Sequence, residues 1–142
     1  MIAFLVGLVF AAAVVAAARV VGVDRDAAFY PTVLVVIALL YVLFAVEDGR
    51  AGVIAVEVGV AAAFLASAVL GYTRTAWWLV AGYALHGVYD ILHGGVATNA
   101  GVPTWWGPFC LGIDGAIALY LIGLARRPAR DPRADQATSP ED

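Results

Sequence analysis

Long apolar stretches, each close to the length of a bilayer-crossing helix, run through most of the chain and are separated by short polar breaks. A transmembrane helix needs roughly 20 mainly apolar residues. Hydrophobic residues make up 63% of the sequence and charged residues 13%, against about 45–50% and about 25% in soluble proteins. The pattern therefore predicts an integral membrane protein of the all-α class.

Five segments have the length and composition of transmembrane helices. We predict them at about 2–21, 31–46, 52–71, 75–93 and 108–124. Because the breaks between them are short, successive helices should be antiparallel neighbours in one five-helix up-down bundle. Pro31 and Pro108 suit the first turn of a helix, where a missing N–H costs nothing. Residues 127–142 change to a composition that cannot bury apolar area, which predicts a disordered tail.

The arginines predict the orientation of the bundle. If the helices alternate, one side of the membrane receives only Arg50 and the other receives the remaining seven of the eight basic residues. Since cytoplasmic loops carry an excess of arginine, we expect the C-terminus and the tail in the cytoplasm and the N-terminus in the periplasm. The absence of lysine and the abundance of alanine, valine and glycine favour a bacterial protein, hence a multi-pass protein of the inner membrane.

The fourth segment contains the most informative motif, A-L-H-G-V-Y-D-I-L-H-G. Spacings of four and three residues put His86, Asp90 and His93 on one face of a helix. Ionisable groups are expensive in hydrocarbon, so this face should point into the bundle. The fifth segment adds Asp114, which follows the chain's single cysteine, Cys110, by one helical turn.

Depth in the membrane links these residues to a third helix. With a rise of about 1.5 Å per residue, the two histidines, Asp90 and Asp114 all fall in the outer half of the bilayer. Glu57 of the third segment lies at a comparable depth, and Cys110 lies above them. We therefore predict one polar site, built from three helices and opening towards the periplasmic side.

Imidazole and carboxylate groups are ordinary zinc ligands, and catalytic zinc sites combine three protein ligands with one open position. We predict His86, His93 and Asp114 as ligands, with Asp90 either as a fourth ligand or as an acceptor that orients an imidazole. Cys110 is a further candidate ligand, although a lone buried thiol usually only packs.

Zinc at such a site can activate water for attack on an ester or amide bond of a lipid-like substrate. Asp90 and Glu57 are the candidate catalytic carboxylates. The uncharged loop from Gly94 to Gly107 would cover the site, either as a lid or as an anchor in the membrane interface.

Two other interpretations remain open from the residues alone. Histidine and carboxylate pairs in a low-dielectric pocket can exchange protons without a metal, as a lipid isomerase would require. Alternatively the protein is not an enzyme, and its polar residues only join helices within the bundle or a homo-oligomer, at about 0.6 kcal/mol per bond. Bonds between His86 and Asp114, and from Asp90 to Tyr83 or Tyr89, would serve that purpose. No basic run or aromatic-basic patch indicates nucleic-acid binding.

The motif L-H-G-V-Y-D-I-L-H-G followed by P-F-C-L-G-I-D-G-A-I-A-L-Y resembles a family of small bacterial integral membrane proteins of unknown function. The positions that carry the resemblance are His86, Asp90, His93, Cys110 and Asp114. The resemblance implies a shared five-helix arrangement and no particular activity. A looser similarity connects the chain to the membrane hydrolases that include alkaline ceramidases and adiponectin-type receptors, which bind zinc through His and Asp within seven helices.

Overall fold

The computed structural model of the protein describes residues 1–126, so the predicted tail at 127–142 lies outside the described residues. Within them the chain forms five α-helices, one 3-10 turn and no strand, which confirms the predicted all-α bundle. The helices are α1 Ile2–Val21, α2 Phe29–Asp48, α3 Ala51–Thr73, α4 Trp77–Val96 and α5 Trp106–Ala125.

Four of these described helices, α1, α2, α3 and α5, are long and apolar enough to cross a membrane. The fourth helix in the chain, α4, also has 20 residues. It does not reach the same apolarity, because it carries His86, Asp90 and His93.

Pro31 and Pro108 lie in the first turns of α2 and α5, as predicted. Gly22 and Gly49 end α1 and α2 in the left-handed conformation, with φ of 89° and 80°, which suits glycine.

The helices are not all packed in chain order. In the described part of the chain α5 lies between α1 and α4, α3 contacts α2 and α4, and α2 also touches α4. The expectation that α1 and α2 are neighbours is therefore wrong. The residues between them form a 3-10 turn, Val23–Arg25, beside the C-terminal half of α5. There the Tyr120 hydroxyl donates to Asp24 Oδ2 at 3.3 Å.

Glycines allow α5 to approach both of its neighbours closely. A Cβ on Gly112 would collide with the backbone carbonyl of Phe4 in α1, and one on Gly107 would lie 2.7 Å from the backbone oxygen of Asp90 in α4. A Cβ on Gly87 would sit 3.2 Å from Leu111 of α5. Small residues at such crossings are typical of membrane helix packing. The close α4–α5 contact brings the α5 side chains within reach of the polar face of α4.

Candidate functional site

A buried group of three ionisable side chains lies between α4 and α5, and we call it the candidate metal site. It consists of His86, Asp90 and Asp114, whose possible ligand atoms all lie within 4.8 Å of one another. His86 Nδ1 is 2.8 Å from Asp114 Oδ2 and 3.6 Å from Asp90 Oδ2. The spacing of four residues puts His86 and Asp90 on one face of α4, and the α4–α5 contact supplies Asp114.

The hydrogen bonding of this site is incomplete. His86 and Asp114 are fully buried and Asp90 is 6% exposed. Each of them nevertheless keeps a buried atom without a partner: His86 Nε2, Asp90 Oδ2 and Asp114 Oδ1. Among residues 1–126, no arginine pairs with either carboxylate, and the chain has no lysine. Buried polar atoms and buried charges are costly unless they are partnered. The three residues could therefore hold a metal ion.

A second polar group, which we call the Glu57 cluster, lies between α3 and the C-terminal end of α4. It consists of Glu57, Tyr89, His93 and Asn99. Glu57 Oε1 lies 2.7 Å from His93 Nε2 and accepts from the Asn99 amide at 3.1 Å. The Tyr89 hydroxyl donates to Glu57 Oε2 at 2.6 Å. Both carboxylate oxygens of this fully buried glutamate are thus bonded.

Tyr41 of α2 connects the two groups. Its hydroxyl donates to Asp90 Oδ1 at 2.6 Å, and its backbone oxygen accepts from the Asn99 amide at 3.2 Å. Its ring centroid lies 4.6 Å from that of His93 and 5.9 Å from that of His86. Because the Tyr41 side chain is fully packed, it holds Asp90 and His93 in fixed positions relative to each other.

The loop between α4 and α5 is tied to the same end of the bundle. The backbone N–H of Ala100 donates to Asp48 Oδ2 at 2.7 Å, and the Arg50 guanidinium donates to the carbonyl of Thr98. A Cβ on Gly101 would collide with the carbonyl of Phe44. These contacts anchor the loop and place Asn99 in the Glu57 cluster.

A cavity of about 890 Å³ lies beneath this loop and reaches both polar groups. Asp90 and His93 lie on its wall, whereas His86 and Asp114 do not. Much of the remaining wall is apolar and comes from α1, the loop and α5, including Phe4, Val102 and Leu111. The predicted covering position of the loop agrees with this geometry.

The structure divides the predicted site residues between the two groups. The predicted ligand set of His86, His93 and Asp114 does not converge, because His93 Nε2 contacts Glu57. Asp90 takes its place beside His86 and Asp114. Cys110 is buried with a free thiol and is not one of the three residues of the candidate metal site. The catalytic roles of Asp90 and Glu57 stay predictions.

Tyr41 and Asn99 were not among the sequence candidates, and Tyr89 was expected only as a partner of Asp90, whereas it donates to Glu57. The tyrosines lie within apolar helices, where a tyrosine is as typical of core packing as of a polar site. The predicted partners of Asp90 were Tyr83 and Tyr89. In the structure Tyr83 donates to the backbone oxygen of Tyr30 instead. Asn99 had one available signal, since it is the only asparagine in the chain.

Comparisons with protein-family models, with curated proteins and with solved structures give no match to this chain. Function is therefore inferred from the chemistry of the site itself.

Proposed function

We propose that this membrane protein is a zinc-dependent hydrolase that acts on an ester or amide bond of a lipid-like molecule. The metal would be held by His86, Asp90 and Asp114. The observation that carries this proposal is the incomplete bonding of these three buried residues. Two buried carboxylates and one buried imidazole lie close together, each keeps an atom without a partner, and no arginine among residues 1–126 forms a salt bridge with either carboxylate.

A divalent cation resolves both deficiencies at once. Its two positive charges would match the two carboxylates while the imidazole stays neutral. Coordination by the imidazole and both carboxylates would replace the present contact between His86 Nδ1 and Asp114 Oδ2. Nitrogen and oxygen donors in a set of three protein ligands, with one position left open, are typical of catalytic zinc sites. Zinc in such a site supplies a Lewis acid and activates water for attack on a carbonyl.

The cavity supports a lipid-like substrate. Asp90 is the member of the candidate metal site that reaches the cavity wall, so a substrate in the cavity approaches the metal from that side. The size of the cavity is in the range of small-molecule sites, and its apolar wall suits an alkyl chain. The arginine distribution supports an orientation in which the cavity faces the periplasm of a bacterial cell.

Metal analysis of the purified protein tests the proposal. We expect close to one zinc per chain in the detergent-solubilised wild type, and loss of that zinc in His86→Ala. The matched control is His93→Ala, which removes the chain's other histidine from the same face of α4 but should keep the zinc.

Equal zinc content in the two variants would contradict the ligand assignment. A folded wild type that takes up no zinc would overturn the proposal. It would support instead a metal-free acid/base site or a cluster that only joins helices.

A further inference from the structure

His93 and Asn99 are the members of the Glu57 cluster that lie on the wall of the cavity, and the buried carboxylate of Glu57 fixes both of them. Of these two, only His93 has a ring nitrogen that can take up a proton. Its side chain is 8% exposed, whereas that of Glu57 behind it is fully buried. Thus the imidazole stands between the carboxylate and the space that a substrate would enter.

The bonding of Glu57 determines the tautomer of His93. Glu57 accepts from the Tyr89 hydroxyl at Oε2 and from the Asn99 amide at Oε1, so both of its oxygens already act as acceptors. With Oε1 as the acceptor, the contact between Oε1 and His93 Nε2 assigns the hydrogen to Nε2. In a neutral imidazole Nδ1 then has a free lone pair.

We propose that His93 is the proton acceptor of this site, acting through Nδ1, with Glu57 as the residue that positions and polarises it. The Glu57 carboxylate stabilises the imidazolium that forms when Nδ1 takes up a proton, which is the role of the acid in a base–carboxylate pair. This assignment of a reaction step rests on the proposed hydrolase function.

The step balances without any further reagent. Water attacks the carbonyl carbon while His93 Nδ1 takes one of its protons. The same proton is returned to the leaving oxygen or nitrogen as its bond to the carbonyl carbon breaks. One water is consumed, and the products are a carboxylic acid and an alcohol or amine.

The position of His93 beside the candidate metal site follows from Tyr41. The same side chain donates to Asp90 at 2.6 Å and packs its ring 4.6 Å from the His93 ring. Asp90 and His93 also share the cavity wall. A proton acceptor and a metal next to each other on one wall of a substrate cavity form a geometry that general-base catalysis can use.

Two measurements test the proton acceptor without a known substrate, and both benefit from a chain with only two histidines. Nitrogen NMR of histidine-labelled wild type should show His93 with a hydrogen on Nε2 and none on Nδ1. Diethyl pyrocarbonate, followed by mass spectrometry, should modify His93 and leave the fully buried His86 unmodified. In Glu57→Gln the modification rate should fall by about tenfold, as expected when an orienting carboxylate is lost.

A hydrogen on Nδ1 of His93 would overturn the inference, and so would an unchanged reaction rate in Glu57→Gln. The NMR measurement uses the wild type, so it decides the tautomer even if that variant does not fold.

Zinc content and hydrolysis of p-nitrophenyl acyl esters in micelles separate this inference from the proposed function. We expect His93→Ala to keep its zinc and to lose about 100-fold or more in kcat, with a smaller change in KM. A variant that keeps both zinc and full kcat would overturn the role of His93 alone. Wild type without zinc, but with the expected tautomer and reactivity, would instead overturn the metal and leave the proton acceptor supported.

Discussion

The candidate metal site and the Glu57 cluster are two buried polar groups on one face of α4, and they differ in how completely their atoms are bonded. Both oxygens of Glu57 have protein partners, in one case two of them. In contrast, His86, Asp90 and Asp114 each keep a buried atom without one. The protein thus satisfies one group from its own side chains and leaves the other with atoms that suit an added ligand.

The two groups share α4 but take their other residues from different parts of the chain. Asp114 reaches His86 because α5 packs closely on α4, whereas Glu57 belongs to α3 and Asn99 to the anchored loop. Outside α4, Tyr41 is the residue that bonds to both groups. A substitution that leaves α4 in place should therefore carry its effect from one group to the other mainly through Tyr41.

The largest expected effect is on stability, in Glu57→Ala. This change leaves the His93 imidazole, the Tyr89 hydroxyl and the Asn99 amide without their common acceptor. Breaking a buried charged network of this kind costs about 3–5 kcal/mol. Unfolding in mixed detergent micelles measures the loss, and Glu47→Ala, at an exposed glutamate near the end of α2, is the matched control. Equal unfolding free energies for the two variants would show that the bonded group does not support the fold.

The next effect concerns zinc and should be confined to the candidate metal site. Zinc at 100 times its Kd should raise the unfolding free energy of the wild type by about 2.7 kcal/mol. Asp114→Asn should abolish this increase, because the substitution removes one ligand and one negative charge. Glu57→Gln should retain it. The same thermal or detergent unfolding experiment, with and without zinc, checks all three proteins; a zinc effect that survives in Asp114→Asn would contradict the assignment.

Much of the fold follows from the sequence because bilayer thickness fixes the length of each apolar segment. The apolar segments did not predict which helices are neighbours. α1 packs on α5 through Gly7 and Gly112 and does not pack on α2. The hydrophobic pattern of an all-round apolar helix does not identify which neighbour it meets. That choice depends on small residues whose counterparts lie far away in the chain.

The structure buries the ionisable residues that the sequence singles out, but their division into two groups was not predicted. Helical spacing puts His86, Asp90 and His93 on one face, but it does not say which neighbouring helix each one meets. His93 lies nearly two turns beyond His86, where α3 supplies Glu57. Asn99 and Tyr41 were not predicted as site residues. Burying an uncharged polar group in a membrane protein costs less than burying a charge, so such a residue is weaker evidence of a site.

Tyr41→Phe tests the connection between the two groups. The substitution removes the hydroxyl that donates to Asp90 at 2.6 Å and keeps the ring against His93. Loss of a group that orients a ligand should weaken zinc binding by about tenfold, or about 1.4 kcal/mol. Zinc titration measures this change, while the tautomer of His93 should stay as in the wild type. An altered His93 tautomer with unchanged zinc affinity would contradict this role, because Tyr41 would then act on the Glu57 cluster and not on the candidate metal site.

The smallest expected effect tests whether the candidate metal site depends on the close α4–α5 contact. A Cβ on Gly107 would lie 2.7 Å from the backbone oxygen of Asp90, so Gly107→Ala must push the start of α5 away from α4. Overpacking by one methyl group should cost about 1 kcal/mol. Gly115→Ala is the matched control on the same helix, since no atom lies within 4 Å of its added Cβ.

Because Asp114 is carried by α5 and Glu57 is not, Gly107→Ala should weaken zinc binding more than it changes the environment of His93. Zinc titration and histidine NMR on the two alanine variants report these separately. Weakened zinc binding in Gly115→Ala to the same degree would mean that general loosening of α5 matters, and not its approach to Asp90. If zinc affinity is unchanged in both variants, it does not depend on the distance between α4 and α5. The present distance between Asp114 and His86 is then not required for metal binding.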